Sequence, residues 1–511
     1  MASHVNNVQI AKNTVYLYLR MIIIMIINLF VVRKTLQILG EVDYGIYNVV
    51  GGFVLIFSFL QASLTTAAQR FFSIYIAEGD KNKLQQSFNL NLLTFGMIII
   101  ALIIISETFG LWFINNNMTI PNERMSAANV VFQFSLLTLC VTMISVPYNA
   151  MIIAKEKMGA FAYIGIVEAI LKLIVVYLIS VVDWDSLQVY AFLVFIANII
   201  VFLFYYFYNN KHFKETKLKF YWNKKEFLQL FRFSGWNFMG TIAFVLRSHG
   251  INVLLNIFFD PVVNAARALS YQIYNAISRL SGNFITAVKP QIYKSYAAAD
   301  YHDMHKLVFR STVISVMLIS IIIFPILANT EFLLNVWLKD VPQHTVIFTQ
   351  LILLNGIIDA TDGPAIASIL ATGKIRKFYI VTSSITLLNI PVSYLLLSFG
   401  AHPAITVIVS ISLSIVVVFI RAYFMKCLIN INLSDYYFLI IRIIVACALI
   451  SGIILCTIYN QVHDMFSFII HSLLIAFIVI LAFILIVADF KDVKMVVNMI
   501  QKKIKNNGNK K

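Results

Sequence analysis

Fourteen apolar segments, each near 20 residues long and separated by short polar turns, dominate this sequence. They lie at 15–32, 44–68, 92–113, 128–153, 159–182, 189–208, 233–258, 262–288, 307–327, 346–371, 378–399, 404–428, 437–458 and 466–487. About 20 apolar residues suffice for a helix to cross a bilayer, and in lipid only helices and closed barrels satisfy their own backbone groups. The runs are continuous rather than alternating, so they predict an all-α polytopic membrane protein of about 14 spans. Composition agrees: 60% of the 511 residues are apolar and 12% charged, against about 25% charged in a soluble domain. A disordered chain, a secreted disulfide scaffold and an ordinary cytosolic enzyme are excluded. The segment 15–32 is too long for a signal-peptide core and is followed by Arg33-Lys34, not by a small-residue cleavage site, so it is expected to stay in the membrane. The segment 233–258 is interrupted by Arg247, Ser248 and His249. Cys140, Cys427, Cys447 and Cys456 sit in apolar runs and read as small buried hydrophobes. Neither they nor the histidines form a metal pattern, and no cofactor is implied.

The formal charge of +16 would suit a nucleic-acid binder, but its distribution says otherwise. With the N-terminus inside, the inner side carries 30 Lys and Arg when Arg310, Arg421, Lys426 and Arg442, at the inner ends of their spans, are counted with it; the outer loops carry 4 and the rest of the spans 5. That asymmetry is the positive-inside pattern of a multi-pass protein, and it places both termini in the cytoplasm. The basic inner segments face anionic lipid headgroups rather than nucleic acid. No loop exceeds about two dozen residues and no G-x-x-x-x-G-K-[ST] occurs, which leaves no room for a catalytic or ATPase domain. The chain is expected not to be an enzyme.

Shifting 147–178 by 217 residues onto 364–395 gives ten identities in 32 positions, among them Pro147/Pro364, Ala154/Ala371, Lys157/Lys374 and Phe161/Phe378. Chance would give about three. Asp80 with Lys83-Leu84 echoes Asp303 with Lys306-Leu307. The expected organisation is a six-helix bundle at 1–210, a basic linker at 211–232, a second six-helix bundle at 233–430, two additional helices at 431–488 and a basic tail at 489–511. Transporters built from such duplicated helix sets hold their cargo in a cavity between the halves.

Two six-helix halves joined by a basic loop, the run Asp43-Tyr44-Gly45-Ile46-Tyr47, the stretch 64–72 (LTTAAQRFF) and the PxxAxxxAxxK pattern of the fourth span resemble the multidrug/oligosaccharidyl-lipid/polysaccharide (MOP) exporter superfamily. Within it they are most similar to the polysaccharide branch, the Wzx-type O-antigen flippases. The resemblance implies an inner-membrane transporter that alternates between inward- and outward-open states. It also implies a cargo: a sugar oligomer on a polyprenyl diphosphate, with a polysaccharide polymerase or assembly protein as a candidate partner.

Ionisable residues inside a bilayer are costly and need a reason. Arg20, Lys172, Arg247, Arg267 and Arg279 are the candidate cationic site, since guanidinium groups hold a diphosphate through charge and bidentate hydrogen bonds. Pairing with Asp359 or Asp362, or snorkelling by Arg20, is the competing account. Polar residues at helical spacing are expected to line the cavity: Tyr44, Tyr47, Asn48 and Gln61 in span two, Asn237 in span seven, and Asn264, Tyr271 and Asn275 in span eight. Asp359 and Asp362, before Gly363-Pro364, are candidates for ion coupling or for a salt bridge to Arg247. Glu168 is a third coupling candidate, and its i, i+4 spacing from Lys172 equally predicts a neutral pair. A multidrug exporter of the same superfamily is the nearest alternative, though cationic drugs call for an acidic cavity. A membrane-embedded polymerase or ligase is a further one, which the short outer loops disfavour.

Overall fold

The computed structural model describes residues 7–55, 58–117, 120–182, 184–259, 261–338, 341–457 and 464–487. These form helices, with no strand among the described residues. Helix α1 (Asn7–Leu55) is two helical segments joined at Gly40, whose φ of 72° turns the chain from the first span into the second. A residue without a Cβ takes up that left-handed conformation readily. There follow α2 (Ser58–Glu78), α3 (Lys81–Ile105), which runs through a π turn into α4 (Leu111–Asn117), α5 (Met125–Ala154), α6 (Met158–Ile179) and α7 (Ser186–His212). The second series is α8 (Lys224–Phe258), α9 (Pro261–Ala297), α10 (Tyr301–Ala328), α11 (Thr330–Leu338), α12 (Thr345–Asp359), α13 (Asp362–Thr372), α14 (Arg376–Leu387), α15 (Asn389–Ser398) and α16 (Ile405–Ile429). Helices α17 (Leu433–Thr457) and α18 (Met465–Ala482), the latter ending in a π turn, complete the described residues.

Eleven described segments are long and apolar enough to cross a membrane. The three expected spans outside that set are 44–68, divided between α1 and α2, and the polar helices α8 and α9.

The chain divides into two compact units, and the boundaries fall within α8 and α9. Unit 1 comprises Met1–Ile242 and Thr286–Asp300. Its core is built from Val50, Leu64, Phe95, Phe132, Met143 and Leu187, with an aromatic cluster of Phe72, Phe88, Tyr148 and Tyr205 nearer one end. Asp80 and Asp185 cap α3 and α7, accepting from backbone amides two and three residues on. Unit 2 comprises Ala243–Ile285 and Tyr301–Lys511. In it α17 and α18 pack Ile443, Ala446, Ile450, Ile475 and Val479 against Val316, Ile319 and Ile323 of α10.

The two copies of the sequence repeat differ in helix continuity. α5 passes through Pro147 as a continuous helix, whereas its counterpart breaks between Asp359 and Asp362, dividing α12 from α13. Pro364 cannot donate to the carbonyl four residues earlier, and that residue, Ala360, is where the helix ends. Within each unit, contacts join segments that the charge count puts on one side. Arg124 reaches Asp43 and Asp185; Lys155 meets Glu215 at 3.0 Å. His402 meets His344 at 3.0 Å, and His305 bonds to the Ile429 carbonyl at 2.7 Å. Cys427 is exposed, unlike buried Cys140.

Candidate functional site

The densest charged constellation lies in unit 2, where α8, α9, α12, α13 and α16 converge. The break between α12 and α13 puts two carboxylates on successive turns. Asp359 accepts from Asn355 Nδ2 at 3.0 Å and from the Tyr274 hydroxyl at 3.2 Å, with Ser414 as a further donor and Arg247 and Arg421 within electrostatic reach. Asp362 is held by a two-pronged ion pair from Arg421, one arm of which measures 2.7 Å. Close helix approach makes this possible: a Cβ at Gly363 would stand 2.7 Å from Ile285 Cγ1, and one at Gly356 would stand 2.6 Å from the Tyr274 ring.

Arg421 is the residue that the sequence reading missed. It counts there among the inner-side cations, yet it is 9% exposed within α16. Its signal was available: Ser410, Ser414 and Arg421 fall at spacings of four and seven, on one helical face. Asp362 therefore pairs with Arg421, not with Arg247. In the first repeat the equivalent positions are Thr138, Thr142 and Ser145, whose hydroxyls bond back to their own helix.

The five candidate cations do not share one environment. Arg267 is buried, donates to Asn252 Oδ1 and covers the Tyr271 ring at 4.8 Å. Arg247 lies near Asp359 and Arg267. In unit 1, Arg20 stacks on Phe161 at 4.3 Å, and the Gly165 backbone leaves the space its guanidinium occupies. Lys172 donates to Glu168 Oε1 at 2.7 Å, the neutral i, i+4 pair. Arg279 differs from all of these. It is exposed, and it makes no hydrogen bond, ion pair or ring contact among the described residues. Gln272 and Asn275, also exposed, precede it by seven and four residues on the same face of α9. Such a face is untenable against lipid and requires water or a polar ligand.

The expected polar stripes are likewise divided. Asn275 is accessible, while Tyr271 packs beside Arg267 and against Tyr274. Tyr44 and Tyr47 pack onto the unit 1 core, Tyr47 edge-on to Tyr190 at 4.7 Å. Asn237 is buried and donates to Ser63, so it joins α8 to α2. Gln61 is half-buried, its carbonyl accepting from Thr65. The side chains of Asn48 and Asn264, and the tail 489–511, lie outside the described residues.

Outside the spans, Arg124 bridges Asp43 beyond the Gly40 turn and Asp185 at the start of α7. Burial alone would raise the Asp185 carboxyl, but the Arg124 hydrogen bond and the amides of Gln188 and Leu187 outweigh it and hold it below the usual carboxylate value.

An all-helical chain with eleven described segments long and apolar enough to cross a membrane, and with charged networks inside each unit, defines a multi-pass membrane protein. Its fold is that of solved MATE and MOP-superfamily transporters. A MATE transporter in the straight conformation superposes with a TM-score of 0.70 at 12% identity, covering 83% of this chain and 97% of that one. A MOP superfamily transporter from Pyrococcus furiosus, described as having a binding pocket of reverse polarity, gives 0.68 at 12% identity, covering 82% and 97%. The MATE transporter ClbM in complex with Rb+ gives 0.68 at 12%, covering 81% and 94%. No curated protein matches the chain. Residues 10–296 match the polysaccharide biosynthesis protein family, and the chain belongs to that family. The expectation drawn from 43–47, 64–72 and the fourth span thus holds for the polysaccharide family and for the fold.

Proposed function

We propose that this transporter flips a polyprenyl-diphosphate-linked oligosaccharide from the cytoplasmic to the outer leaflet of a bacterial inner membrane. It does so by alternating access, supplying a surface polysaccharide such as O-antigen, capsule or exopolysaccharide. The observation that carries this reading is Arg279: an accessible guanidinium, unpaired among the described residues, on a span-length helix beside Gln272 and Asn275. A free cation at membrane depth suits an anionic headgroup, and neighbouring amides suit sugar hydroxyls. Family membership supplies the polysaccharide pathway. Asp359, bonded by neutral donors and faced by two arginines, is the carboxylate through which an ion gradient would act. Both termini are cytoplasmic in this reading, following the charge asymmetry.

The test is a flip assay in proteoliposomes loaded with a polyprenyl-diphosphate oligosaccharide, with an added glycosidase reporting which sugars are accessible. Protein-dependent change in accessibility, accelerated by a proton or sodium gradient, is expected. No change with folded protein across several sugar headgroups would overturn the reading and direct attention to drug efflux.

A further inference from the structure

The linker, expected as a basic segment facing anionic headgroups, is an ordered strap on unit 1. Thr216 is buried, and Lys155 holds Glu215. Asn89 of α3, itself buried, bonds the strap twice: its Nδ2 donates to the Lys217 carbonyl at 3.3 Å and its Oδ1 accepts from the Lys219 amide at 2.9 Å. Gln85 adds a bond to the Lys217 carbonyl at 3.2 Å. Asn223 then caps the start of α8 through the Lys225 amide at 3.0 Å. The apolar side chains of the strap are nevertheless exposed, Trp222 also lying tilted against Phe227 of α8 at 4.9 Å between ring centroids. Leu218 is 67% exposed, Phe220 83% and Trp222 46%, followed by Phe231 on α8 at 52%. Lys217, Lys219, Lys224 and Lys225 are exposed among them.

Water is a poor solvent for that set of apolar groups, and hydrocarbon is a poor one for the lysines. The strap leaves the end of α7, a helix long and apolar enough to cross a membrane, so it sits at the level where a bilayer offers both environments. We infer that residues 217–231 form an interfacial docking surface for anionic phospholipid, with Leu218, Phe220 and Trp222 entering the headgroup–acyl boundary and the four lysines binding lipid phosphates. The occupant is the surrounding leaflet, on the side that the charge asymmetry assigns to the cytoplasm, where anionic headgroups complement the lysines. This surface is independent of cargo binding, and its test involves no transport.

Trp222 is the reporter. The chain holds five tryptophans, so Trp222 is isolated by Phe substitution at Trp112, Trp184, Trp236 and Trp337, or, if that variant folds poorly, by the difference between the native chain and Trp222→Phe. In vesicles of phosphatidylcholine and phosphatidylglycerol, bromine is placed near the headgroup on one lipid at a time. Trp222 should be quenched by both, and about threefold more strongly by brominated phosphatidylglycerol at equal mole fraction. Replacing Lys217, Lys219, Lys224 and Lys225 with Gln should bring that ratio close to one while quenching persists. Absence of quenching by either lipid would place the strap in water and overturn the inference. Equal quenching by the two lipids in the native chain would overturn the assignment to anionic headgroups.

Discussion

Glu156 and Gly373 occupy the same position of the sequence repeat, 217 residues apart, and both adopt a left-handed backbone, with φ of 58° and 73°. Each ends the turn between a proline-bearing helix and the next span. Glycine accepts that conformation without steric penalty, whereas a residue with a Cβ pays for it. In the first repeat the strained glutamate is put to use: buried, it binds Lys294 by an ion pair and Gln291 at 2.6 Å, and its carbonyl accepts from Gln9. Glu156→Ala keeps the strain and loses the contacts, while Glu156→Gly loses the contacts but relaxes the backbone. The alanine variant is expected to be less stable than the glycine variant by about 1 kcal/mol, read as thermal unfolding in detergent. Equal stabilities would show that the turn is not strained.

Arg421 and Asp362 form a buried pair, and removing one partner strands the other. Arg421→Ala should cost about 3–5 kcal/mol. A double replacement, Arg421→Met with Asp362→Leu, should recover most of that stability, since apolar side chains of similar volume carry no desolvation cost. Melting temperatures of the two variants decide the matter, and a double variant no better than the single one would argue against direct pairing.

Arg279 and Arg267 should separate transport from folding. Arg279→Ala is expected to slow flipping at least about tenfold, with Arg279→Lys intermediate because it keeps charge but not the bidentate fork. Its melting temperature should match that of the native chain. Arg267→Ala removes one hydrogen-bond donor from Asn252 and the cation from the Tyr271 face and should lower stability by about 1–3 kcal/mol. Unaltered flipping in Arg279→Ala would remove it from the mechanism.

The Asp43–Arg124–Asp185 cluster predicts acid sensitivity of unit 1. The Asp185 carboxyl is held below its usual value when folded, so the folded state releases this proton more readily than the unfolded chain. The resulting stability is present above the unfolded value of about 3.9 and is lost as pH falls through the depressed folded value. Asp185→Asn should therefore flatten the acid side of a melting-temperature profile below about pH 4 while lowering stability at neutral pH. An acid limb parallel to the native one would contradict this.

Gly363 carries the approach of α13 to α9. Gly363→Ala should cost about 1–3 kcal/mol, because the branched Ile285 carbon lies too near its own backbone to swing aside. Ile285→Ala in the same chain should restore part of the loss, and a lack of coupling in a double-mutant cycle would indicate that the backbones move apart instead.

Hydropathy was enough to locate eleven of the spans, because a bilayer imposes a length and a polarity on each segment whatever packs beside it. The i, i+4 pair Glu168–Lys172 was equally legible, since both members share one helix. Partners on different helices were not. Arg421 finds Asp362 across 59 residues, and Arg124 gathers two carboxylates from segments 81 and 61 residues away. The stripe on α9 shows the limit most clearly: spacing groups Arg267, Tyr271 and Asn275 on one face, yet Arg267 is buried while Asn275 and, further along, Arg279 are accessible. Periodicity fixes which residues share a face. Which way that face points is set by close contacts at Gly356 and Gly363, and only the tertiary structure contains those.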